Sequence, residues 1–311
     1  MDDEIPDIGD FTIHSLGDGP GRRTGRLLTM SLPSRSWVRR TIAGGLSVIE
    51  AGRQDGQVML LIHGLTDAAD VWRPIARPWL RDRWVVAADL RGHGQSPRFT
   101  SAELASGPAE VMVDDVVGLL RQLSSTHGPV IVVGHSLGGV VALAAAVKCP
   151  EAVRRLVLED PAPAEGDWLP GFKEPFLAEQ LRTLDAFAAA DREKWPRPGE
   201  RWAADELGPW YEAKPLVDRG LILSGKVVPK GRLADFTDGI RVPTLILAAD
   251  PSHLEQTVPS AANPLVRIEK VNRAGHCIHR DDPVEFHRLV AGWLCAPAGH
   301  QVCVSGRDGK V

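Results

Sequence analysis

Short runs in which apolar residues follow one another without a polar alternate punctuate the chain. They are LSVIEAG (46–52), VMLLIHG (58–64), WVVAADLRG (84–92), VIVVGHS (130–136), RLVLEDP (155–161), TLILAAD (244–250) and LVRIEKV (265–271). A strand with one wet face alternates apolar with polar, whereas continuous Val/Ile/Leu runs suit strands covered on both faces, as in a parallel sheet. Helical patterns lie between them at about 72–81, 109–126, 137–148 and 281–294, the last opening with RDDPVEF, where Asp and Pro supply a start signal. Strand alternating with helix predicts an α/β fold, a mostly parallel central sheet flanked by helices.

The rhythm breaks between Pro161 and about Ile240, where Pro, Gly, charges and the aromatics Trp168, Phe172, Phe176, Trp195, Trp202, Trp210 and Tyr211 appear without strand signals. This predicts a helical cap over residues 161–240, a core made of 36–160 and 241–311, and a loosely patterned N-terminal arm over 1–35. Single tryptophans in such a segment pack its own small core. Taken together, Trp168, Trp202 and Trp210 are candidates for an aromatic-lined substrate pocket.

Composition narrows the class. With 311 residues, 43% hydrophobic, 24% charged and a net charge of −4, the chain reads as an ordinary globular protein with no basic face for nucleic acid. No apolar stretch approaches the roughly 18 residues of a membrane span, and the acidic start MDDEIPDIGD is unlike a secretory signal, so a cytoplasmic protein is expected. Cys149, Cys277, Cys295 and Cys303 are scattered without C-x-x-C pairs, which predicts free thiols and neither a metal nor a cofactor. Cys277 beside His276 is the one candidate for a reactive thiol.

The chemistry centres on GHSLG (134–138), a G-x-S-x-G placed after a strand and before a helix. A serine in so sharp a turn takes strained backbone angles, and side chains at 134 and 138 would collide with neighbouring segments. The turn lifts the Ser136 hydroxyl above the sheet and sets the following helix N-terminus beside it, making the Leu137 N–H a candidate oxyanion donor. LIHGL (61–65) ends another strand and offers the Leu65 N–H as the second donor.

HG at 63–64, DLRGHGQS (89–96), GHSLGG (134–139) and AGHCIHRDDPVEF (274–286), each after a strand, resemble the α/β-hydrolase superfamily from about residue 40 to 295. The resemblance implies that Ser136 is a nucleophile and His276, in the family's histidine loop, its base. His63 and His93 belong to turn motifs, His135 points under the nucleophile strand, and His279 lies past the better match. Asp89 is read as a turn residue.

The acid departs from the family's commonest pattern, G-x-x-D after the strand preceding the histidine strand. Here LILAADPSHLEQTVP (245–259) puts Asp250 two residues early and Glu255 nearer the usual place. A second branch, which includes haloalkane dehalogenases and macrolactone hydrolases, sets the acid after the strand that follows the nucleophile helix. Asp160 lies 24 positions beyond Ser136, similar to that branch, with Glu159 beside it. Asp160 is preferred, and Asp250, Glu159 and Glu255 remain alternatives. A serine at the elbow excludes the dehalogenases and epoxide hydrolases of this fold, which use aspartate there. The implied activity is hydrolysis of a small-molecule ester or lactone, mid-sized and apolar or aromatic. A C–C bond hydrolase for vinylogous diketones and a non-catalytic binding protein are the alternatives. Oligomeric state has no signal in the sequence.

Overall fold

The computed structural model describes residues 34–42, 44–189, 202–258 and 262–296. The arm before residue 34, the tail after 296, Trp195, Cys303 and the side chain of Glu255 lie outside the described residues.

The strands are β1 (Ser34–Thr41), β2 (Ser47–Gly52), β3 (Gln57–Ile62), β4 (Arg83–Ala88), β5 (Val130–His135), β6 (Val153–Glu159), β7 (Thr244–Ala248) and β8 (Val266–Lys270). They form one sheet in the order β1-β2-β4-β3-β5-β6-β7-β8. β2 runs antiparallel to both its neighbours, and from β4 onward every pairing is parallel. Each apolar run became a strand; the central ones are covered on both sides, whereas β8, at the other edge of the sheet, is only partly buried. Val58, Leu60 and Ile62 belong to the apolar layer on one face, while Met59 and Leu61 belong to that on the other. Burying each such side chain contributes about 1.5–3 kcal/mol, and a one-residue slip would exchange the two layers. β1 lacks an apolar run because it is an edge strand carrying Arg39 and Arg40, with Val38 exposed.

The helices are α1 (Arg73–Ala76), α2 (Ser101–Ser106), α3 (Pro108–His127), α4 (Leu137–Lys148), α5 (Lys173–Ala189), α6 (Ala204–Ala213), α7 (Arg219–Leu223), α8 (Leu233–Gly239), α9 (Leu254–Thr257), α10 (Ile278–Asp281) and α11 (Pro283–Cys295). The helix expected at 72–81 is instead α1 between two 3₁₀ turns, since Pro74 and Pro78 interrupt its hydrogen-bond ladder. α2 is an addition to the expected set, and Thr100 and Glu103 cap it reciprocally. α4 is buried on every side from Leu137 to Ala146, which its Gly, Ala and Val residues permit by letting α3, α8 and the sheet approach closely. α5 to α8 form the insert between β6 and β7. Among the described residues no helix is long and apolar enough to cross a membrane.

Candidate active site

Ser136 occupies the β5–α4 turn with φ 52° and ψ −117°. A non-glycine residue there is strained by about 1–3 kcal/mol and persists only where its surroundings hold it. They do: the Ser136 N–H donates to Glu159 O (3.0 Å), and the Ser136 carbonyl accepts from Gly139 N (2.9 Å), Val140 N (3.2 Å) and Ala162 N (2.9 Å). The glycines answer to sterics. A Cβ on Gly138 would sit 2.3 Å from the Ile62 carbonyl oxygen, and one on Gly134 would sit 2.5 Å from that of Gly138. Leu137, first in α4, has no intrahelical acceptor for its N–H.

His276, in the loop between β8 and α10, donates from Nδ1 to Asp160 Oδ2 at 2.6 Å. Asp160, just past β6, accepts the Ser252 hydroxyl (2.6 Å) and the Ala249 N–H (3.2 Å) on Oδ1. Burial pushes the Asp160 carboxyl up, but His276 and then Ser252 and Ala249 outweigh it and hold the group below the usual carboxylate range. The structure therefore brings Asp160 to the histidine. Asp250 is not there: it is exposed and paired with Lys270 at 3.0 Å. Glu159 is wholly buried elsewhere, accepting from the His279 N–H (2.7 Å) and its Nδ1 (2.8 Å). His279 in turn stacks on Trp72 at 5.0 Å.

His63, His93 and His135 are supports. His63 Nε2 accepts from Leu90 N (3.1 Å), so its Nδ1 carries the proton and donates to Gly64 O (2.8 Å), which orients the peptide whose N–H belongs to Leu65. His93 Nε2 holds Leu65 O at 2.6 Å, and burial pushes its pKa down to about 4. His135 Nε2 donates to the His276 carbonyl (3.0 Å), and burial lowers its pKa to about 3, so the ring stays neutral. Asp89 accepts from Ala69 N (2.7 Å), Gln95 N (3.1 Å) and Arg39 (2.7 Å), a turn role as read from the sequence. Cys149, Cys277 and Cys295 are free. Burial pushes the Cys277 thiol up to about 12, which keeps it protonated and unreactive.

Ser136, His276, Leu65 and Leu137 all line one cavity of about 500 Å³. The insert contributes Trp168, Phe172, Phe176, Val227 and Val228 to its wall. Trp202 and Trp210, expected there, do not line it. Trp202 lies against the Arg280 guanidinium (4.7 Å) and donates to Asp281 (3.0 Å), and Trp210 lies against the Lys214 ammonium (4.0 Å). Phe172, Phe176 and Ser252 were missed as site residues, although the four-residue spacing of the two phenylalanines was a signal for one shared face. Among the described residues no group of three or more His, Cys, Asp or Glu is placed to hold a metal ion.

Acid should undo this region first. Glu159, Asp160 and Asp67 are all buried, and each is held below the ordinary carboxylate range, Asp67 by Arg280 and Lys214. A depressed folded pKa gives stability that is complete above the unfolded value of about 4 and is lost as pH falls below it. Glu206, which burial pushes up, titrates the opposite way. The urea midpoint is expected to start falling below about pH 6.5, because His93 and His135, held to about 4 and 3 by burial, stay neutral while the unfolded chain takes up their protons, and to fall more steeply below about 4 as the carboxylates join. Glu159→Gln should flatten that fall, measured by urea titrations across the pH series.

A model of the alpha/beta hydrolase family matches residues 59–289. The chain is 36% identical over 277 residues to the 2-(acetamidomethylene)succinate hydrolase of Mesorhizobium japonicum, covering 83% of this chain and 95% of that one. It is 29% identical over 269 residues to the sn-1-specific diacylglycerol lipase ABHD11 of Mus musculus, covering 76% and 80%. The crystal structure of E-2-(acetamidomethylene)succinate hydrolase superposes with a TM-score of 0.65 at 21% identity, covering 84% of this chain and all of that one, which speaks to the fold.

Proposed function

The chain belongs to the alpha/beta hydrolase family, and on that premise we propose that it cleaves a carboxylic ester or lactone of a mid-sized, apolar or aromatic substrate through an acyl-enzyme on Ser136. One observation carries this reading: the His276–Asp160 contact of 2.6 Å on a histidine that shares its cavity with Ser136. Ser136 Oγ attacks the carbonyl carbon while His276 Nε2 takes its proton. Asp160 keeps the other proton on Nδ1 and stabilises the imidazolium. The carbonyl electron pair moves onto oxygen, held by the Leu65 and Leu137 N–H groups. Collapse expels the alcohol, which receives the proton from His276. Water, deprotonated by the same ring, then releases the acid and restores Ser136. The insert, residues 161–240, acts as the cap, its Trp168, Phe172 and Phe176 packing the acyl or aromatic part.

A second reading follows from the 36% identical relative, which is named for a substituted succinate rather than an ester. A dianion needs cationic partners, yet no Lys or Arg is among the described residues lining the cavity, and Asp167 is. The apolar wall therefore favours the neutral ester or lactone.

The test is turnover of p-nitrophenyl esters of increasing acyl length, beside a vinylogous diketone acid, with fluorophosphonate labelling read by intact mass. kcat/KM should rise up to about 4-fold per added methylene while the chain fits the cavity, from ~0.8 kcal/mol per buried CH₂. Preference for the keto acid would favour C–C hydrolysis. An unlabelled protein that turns over neither substrate sinks the enzyme reading.

A further inference from the structure

Outside the cavity, the insert meets the core through buried charge. Asp67, two residues after Leu65, takes one cation on each carboxylate oxygen: Lys214 Nζ on Oδ1 (3.1 Å) and Arg280 Nη2 on Oδ2 (3.0 Å). The Lys214 side chain is 0% exposed and lies just after α6; it also donates to Thr66 O (2.8 Å) and Thr66 Oγ1 (3.0 Å). Arg280, four residues after His276, lies 3.8 Å from Glu206 of α6. Trp210 and Trp202 cover the two cations.

Ion pairs this deeply buried are often no more stabilising than apolar residues of the same shape, so stability is a poor account of them. Geometry gives a better one. Three consecutive carbonyls of the oxyanion loop are each held by a buried nitrogen: Gly64 by His63 (2.8 Å), Leu65 by His93 (2.6 Å) and Thr66 by Lys214 (2.8 Å). The first two nitrogens come from the core and the third comes from the insert. Asp67 then ties the same lysine to Arg280 in α10, the helix that follows the histidine loop.

We infer that Lys214 is a positioning residue supplied by the insert, and that the Lys214–Asp67–Arg280 cluster braces the oxyanion loop against the helix that follows the histidine loop. This role rests on the proposed hydrolysis. Lys214 touches no reacting atom; it fixes where the Leu65 N–H stands. The charged and titratable groups facing it are Asp67, Arg280, Cys277 and, through the loop, His63. Burial lowers its pKa to about 8, in agreement with that enclosure.

The experiment compares Lys214→Met, Lys214→Gln and the charge-balanced pair Asp67→Asn/Lys214→Met in the full chain. It reads kcat, KM, inhibition by phenylboronic acid, which forms a tetrahedral adduct on the serine, and thermal melting. Misplacing the loop should lower kcat by about 10- to 100-fold with KM within about twofold, and weaken boronate inhibition in parallel. Lys214→Gln, which keeps an N–H donor, should recover part of kcat. A folded double variant with kcat within about twofold of wild type overturns the proposal, as does unfolding of all three variants, since the cluster would then serve stability alone. If the wild type turns over no ester, the hydrolase reading has failed separately. The brace is then read by hydrogen exchange in the 60–70 segment, which Lys214→Met should accelerate and which an unchanged rate would refute.

Discussion

Replacing Ser136 by alanine is expected to lower kcat by about a million-fold and to abolish fluorophosphonate labelling. The loss is large because the other hydroxyls lining the cavity are turned elsewhere, Ser252 onto Asp160 and Thr257 onto the His253 carbonyl, and the Cys277 thiol next to His276 is held protonated by burial, with a pKa of about 12. Alanine keeps the Cβ and so fits the positive-φ turn as serine does, and the backbone bonds that hold residue 136 involve no side-chain atom. The variant should fold. His276→Ala should cost nearly as much, and the double variant little more, since nucleophile and base act as one unit. Labelling of Ser136→Ala at wild-type stoichiometry would show another nucleophile.

Asp160→Asn is expected to lower kcat by about 10⁴-fold, with Asp250→Asn within about threefold of wild type. A carboxylate at 160 can only accept, so it selects the His276 tautomer that carries its proton on Nδ1 and leaves Nε2 free to act as base. An amide at 160 can present N–H instead and turn the ring to the wrong tautomer. Asp250 already has its partner in Lys270 and faces no step of the reaction. Because the Asp160 carboxyl is held below the usual range, its protonation should not shape the rate near neutral pH. The decisive comparison is kcat for the two variants on one ester; equal losses would remove Asp160 from the triad.

These two residues differ in how far the sequence could identify them. The elbow is a local steric device, so GHSLG alone carries its geometry, and the close approaches at Gly134 and Gly138 are what the motif's glycines answer to. The acid is a tertiary fact. β6 and β7 are neighbours in the sheet, so both strand ends lie beside the histidine loop, and the Ser252 and Ala249 contacts to Asp160 join segments remote in sequence. Trp202 and Trp210 were misplaced for a related reason. A tryptophan's type cannot tell a cavity wall from the cover of a cation, and Arg280 and Lys214 reach them only through the fold. The central strands were legible because they are dry on both faces, while β1, wet and charged at the edge, carried no such run.

The adjacency of Glu159 and Asp160 has a consequence for how such a chain can diverge. Glu159 ends β6 and Asp160 follows it at φ 35°, and the two consecutive carboxylates go to different partners, Glu159 to His279 and Asp160 to His276. Two neighbouring residues thus grip the histidine loop and the helix after it at points three residues apart. Inserting or deleting one residue in either segment would break one grip while keeping the other, so drift at one pair must be matched at the other. In a lineage of such chains the four positions should be inherited as a block.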